Sequence, residues 1–87
     1  MKEFASSEKF FAAFRGLVAR IEKQGNAEAA RELRGGFACL NGLTDGWALL
    51  MESIDRTIKE NKGRIPEPEM SELRGMFKSV KAIVHRG

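Results

Sequence analysis

The chain has 87 residues, 43% of them hydrophobic and 31% charged, with 15 Lys and Arg against 12 Asp and Glu. That length supports one small domain, 1–87, and excludes a large enzyme with separate substrate and cofactor domains. The balance is that of a folded chain and not a disordered tail, and a formal net charge of +3 is too mild to imply a nucleic-acid partner by itself.

The first predicted element is a helix over about 6–23. Phe10, Phe14, Leu17 and Ile21 recur at helical spacing, and Phe4, Phe11 and Val18 form a parallel row beside them. Gly25 suits the left-handed residue that ends such a helix, and Asn26 suits the cap of the next one.

From Asn26 onward the apolar phase is unusually long. Ala30, Leu33, Phe37, Leu40, Thr44, Trp47, Met51, Ile54 and Ile58 alternate steps of three and four without a slip. This favours one central helix over about 27–61, flanked by two shorter antiparallel helices in an all-α, three-helix arrangement. The alternative is a four-helix bundle with a break near 41–44, where Asn41-Gly42-Leu43-Thr44-Asp45-Gly46 resembles a helix stop followed by a helix start. A broken chain would admit a helix-turn-helix, but Thr44–Glu52 offers acid and apolar bulk where a groove-reading helix needs polar contacts.

Asn61-Lys62-Gly63 closes this segment, and Pro66 and Pro68 mark the connection to a last helix over about 68–85. Met70, Leu73, Phe77, Val80 and Val84 supply its apolar stripe. A long middle helix covered by a different neighbour on each half would leave a groove along its length. A homodimer, or a partner helix seated in that groove, is therefore expected.

Candidate contact residues follow from that expectation. Leu40, Leu43, Trp47 and Leu50 would supply apolar area, while Ala38, Gly42 and Gly46, four apart, would let another backbone approach closely. Arg74, Lys78, Lys81 and His85 form a basic row that could meet phosphates or an acidic partner, or could be a solvated face. One histidine and one cysteine make no metal-ligand set, and no catalytic or cofactor-binding constellation stands out. Glu52 with Arg56, Asp55 with Lys59 and Glu60 with Arg64 are spaced for pairs along a helix surface. The single thiol, Cys39, cannot close an internal disulfide, and the longest apolar run, Trp47–Met51, is far below the roughly 20 residues a bilayer requires. The sequence thus predicts a cytoplasmic, non-enzymatic helical interaction module, with a nucleic-acid accessory role for the last helix as the alternative.

Overall fold

The computed structural model describes residues 7–40 and 45–86. Four helices follow in order: α1 (Ser7–Lys23), α2 (Ala27–Ala38), α3 (Gly46–Glu60) and α4 (Glu67–Arg86). Among the described residues there is no strand, and no helix is long and apolar enough to cross a membrane.

The four-helix alternative is the one adopted, and the single helix over 27–61 is corrected. A straight helix of that length would run about 50 Å, whereas the longest dimension of the molecule is 34 Å. The α2 ladder tightens at its end, where the Cys39 and Leu40 amides donate to the Gly36 and Phe37 carbonyls three residues back. The chain then reverses, and α3 opens with the Leu49 amide on the Asp45 carbonyl.

Gly46 makes the reversal possible. A Cβ there would overlap the Cys39 carbonyl oxygen and sit 3.0 Å from the Leu40 Cα, so only glycine lets the start of α3 lie against the end of α2. Farther along the same interface, Gly36 lies under Ser53, whose side chain occupies the space a Cβ would need. Ser53 Oγ donates to the Glu32 carbonyl at 2.7 Å, tying the two helices beside Gly36.

Helix α2 packs on α1 and α3, α3 on α4, and α4 returns to α1. The ring of helices therefore closes on itself, which removes the open groove on which the expectation of a second copy rests. The core inside it runs from Phe10, Phe14, Leu17 and Ile21 through Leu33, Leu50 and Ile54 to Leu73, Met76 and Val80. Gly25 and Gly63, at φ 91 and 81, take the left-handed turns that end α1 and follow α3. Asn26 departs from its expected role. Its side-chain amide makes no cap bond to α2 and donates instead to the Arg64 carbonyl at 3.4 Å, joining two connections at one end of the bundle.

Candidate functional site

The two ends of the bundle differ in chemistry. One end holds the first half of α1, the end of α2 and the start of α3, and it is filled with rings. Phe14 stacks on Phe37 at a centroid distance of 5.0 Å, and Phe11 meets Phe37 edge-on at 5.3 Å. Trp47 lies 5.9 Å from Phe10 and 6.2 Å from Phe11. Phe10 and Phe14 are buried, but Phe11, Phe37, Leu40, Trp47 and Met51 are only half-buried, packed on the core below and open above. The Arg15 guanidinium sits over the Phe37 ring at 6.0 Å.

At the other end the surface is knitted by charge. Arg20 of α1 reaches Glu72 at 2.9 Å and Glu69 at 3.7 Å on α4. Arg34 of α2 holds Glu22 of α1 at 2.8 Å, and Arg56 of α3 holds Glu32 of α2 at 2.7 Å. Lys59 pairs with Asp55 and Arg74 with Glu67. The hydrogen bond from Arg34, and then its charge, lower the Glu22 pKa, and the same bond raises that of Arg34. Of the three pairs expected along the surface, Asp55 with Lys59 forms; Arg56 turns across the interface to Glu32 instead of back to Glu52.

A cleft of about 400 Å³ opens between α2 and α3 at this charged end, walled by Glu28, Arg31, Glu32, Glu60, Arg64 and the Thr57 side chain. Glu60 and Arg64, expected as a surface pair, line it. Its polar groups are partly committed already. Glu32 accepts from Ser53 and Arg56, Thr57 donates to the Ser53 carbonyl, and Asn61 donates to that of Thr57. Among the described residues no group of three His, Cys, Asp or Glu could hold a metal ion.

The sequence-predicted contact residues are divided by the fold. Leu40 and Trp47 belong to the half-open ring cluster. Leu50 is 0% exposed and spent on the protein's own core. Gly46 is buried against α2, so its close approach is made within the chain and not to another copy, and Ala38 ends α2 in solvent. Gly42 and Leu43 lie outside the described residues. Arg74, Lys78, Lys81 and His85 are all exposed on the outward side of α4, and among the described residues Arg74 alone of the four has an ion-pair partner, Glu67.

Phe11 and Phe37 join the candidate surface although their spacing assigns them to core stripes. The usable signal is the excess of rings. Phe10, Phe11 and Phe14 on one helix exceed what a narrow stripe can bury, so one must lie at its margin.

Comparison with known proteins adds no relative: no family model matches the chain, and neither the curated proteins nor the solved structures searched give a match.

Proposed function

We propose that the protein is a helical interaction module that seats a partner against the ring-bearing end of its bundle. The observation that carries this reading is the placement of Phe11, Phe37, Leu40, Trp47 and Met51. They are half-buried together at one end, while the opposite end is closed by ion pairs. Contiguous apolar and aromatic surface on a small domain is what partner proteins bury, and large rings carry most of the energy when they do. The function is binding and not catalysis, and its setting is a reducing cytoplasm, in which the thiol of Cys39 stays unoxidised.

Trp47 is the only tryptophan of the chain, so its fluorescence reports this surface alone. Amphipathic helical peptides without tryptophan are the probe. Titration should shift the Trp47 emission to shorter wavelength and protect it from acrylamide. A Trp47 that stays quencher-accessible at millimolar peptide, in a protein of monomer mass by light scattering, would defeat the reading.

A further inference from the structure

The chemistry of the partner can be read from the edge of α4 that adjoins the rings. Arg20 of α1 contacts Glu69 and Glu72, which fixes one edge of α4 as the side facing α1. Successive residues turn by about 100° in an α-helix, so Phe77 and Val84 fall on the opposite edge, toward α3, with which α4 packs. Lys81 comes next around the helix, then Arg74, His85 and Lys78 on the solvent side. On α3, Ser53 and Leu50 adjoin Gly36 of α2. By the same rotation Met51 lies on the far edge, toward α4, one turn from Trp47, whose ring packs on Phe10 and Phe11 of α1. The seam between α3 and α4 at the ring-bearing end therefore runs over Met51, Phe77 and Val84, all half-buried, beside Trp47, and is bordered by the basic row.

Apart from Arg74, which pairs with Glu67, that row is unpaired among the described residues. The ion pairs between described residues use the second half of α1, the body of α2, the second half of α3 and the first half of α4. Lys78, Lys81 and His85, in the second half of α4, have no carboxylate partner among the described residues, and Arg15 meets only a ring. The described acids at this end are not on the seam: Glu8 is in the first turn of α1, Asp45 precedes α3, and Glu52 points away from α4 on the α3 wheel.

We propose that the partner is an acidic amphipathic helix lying along this seam. Its apolar residues would rest on Met51 and Phe77, beside Trp47, and its carboxylates on Lys78 and Lys81, with His85 as a further hydrogen-bonding group at the end of the row. The inference rests on the docking function proposed above and adds to it the sign of the partner's charge. Lys78, Lys81 and His85 are spaced three and four apart, about 10 Å in all, which is the spacing of acids on one face of a second helix. A second copy of this chain fits poorly. A two-fold contact sets each patch against itself, and the cation rows would then repel. Single-stranded nucleic acid needs open ring faces for its bases, whereas Phe14 and Phe37, and Phe11 and Trp47, turn their faces onto one another.

The test uses three 16-residue helical peptides with one apolar face and no tryptophan, differing only in Glu, Gln or Lys beside that face. Trp47 emission is the readout, in about 50 mM salt, where the screening length still spans a contact pair. The Glu peptide should bind about tenfold tighter than the Lys peptide, as expected when two exposed lysine pairs are replaced by two repulsions. The margin should shrink in 0.5 M salt and invert in the Lys78→Glu, Lys81→Glu double variant. Both positions are exposed, and circular dichroism should show the variant folded. Equal binding of all three peptides would overturn the acidic partner while leaving the docking surface standing. No shift with any peptide would overturn both. A shift with anionic vesicles or oligothymidine, but none with the Glu peptide, would overturn the proposal in favour of those ligands.

Discussion

Glycine in a helix costs stability unless its missing side chain is used, and in this chain the use differs from position to position. Gly16 and Gly35 face open space, with nothing within 4 Å of a built Cβ. Replacing either with alanine should raise stability by about 0.5–1 kcal/mol, because the backbone entropy lost on folding is reduced. Gly46→Ala should do the reverse and cost about 1–3 kcal/mol, the range of forced overpacking, since the Cys39 carbonyl and the Leu40 backbone cannot yield as a side-chain tip can. Urea denaturation of the three variants checks both signs, and a stabilising Gly46→Ala would contradict the packing of α3 on α2. Phe37 joins α2 to α1 through its ring, since it touches Phe11, Phe14 and Arg15. Phe37→Ala should cost about 3 kcal/mol, the lower end for a phenylalanine because this one is half-open to solvent. A loss below 1 kcal/mol in the same urea experiment would mean the ring cluster is not cohesive.

At the scale of elements, α1 and α4 were legible because each stripe faces one core and each end carries its own stop. The expected spans 6–23 and 68–85 meet the observed Ser7–Lys23 and Glu67–Arg86. The α2–α3 break was not legible from phase, for a specific reason. Cys39 to Asp45 is seven residues, two turns at the 3.5-residue repeat, so apolar positions resume in register after the connection as if no connection were there. What distinguishes a reversal from a continuing helix is the contact at Gly46, a long-range fact that periodicity does not encode. The candidate surface divided in the same way. Trp47 and Leu40 could be selected by type and place. Leu50 belongs to the core because antiparallel α2 covers it, and an extended helix would not have done so. Pairing between elements also sets the acid response. Glu22, hydrogen-bonded to Arg34 across α1 and α2, has its folded pKa below the ordinary value of 4.5. Its contribution is therefore present above that pH and lost as pH falls through the lower folded value. Glu22→Gln should flatten the decline of melting temperature below pH 4.5, and an unchanged slope would show that the pair does not persist in solution.

The molecule as a whole has one core and few places where it could come apart in pieces. The C-terminal helix, α4, leans on α3 more than on α1. Yet α4 supplies Met70, Leu73, Met76 and Val80 to the same buried cluster that holds Phe14, Leu33 and Ile54. Peeling it away would expose those partners together, so partial unfolding gains chain entropy from one helix only by uncovering the interior of all four. A domain of this length that buries a single cluster has no second core to support an intermediate. Far-UV circular dichroism reports all four helices, whereas Trp47 emission reports the junction of α3 with Phe10 and Phe11 of α1. The two urea transitions should coincide in midpoint and slope. If α4 instead frays as a unit, ellipticity would fall before Trp47 moves, and the seam where the partner is placed would already be open in the native state. Coincident curves place that seam on a rigid scaffold, where binding would need no prior ordering of the protein.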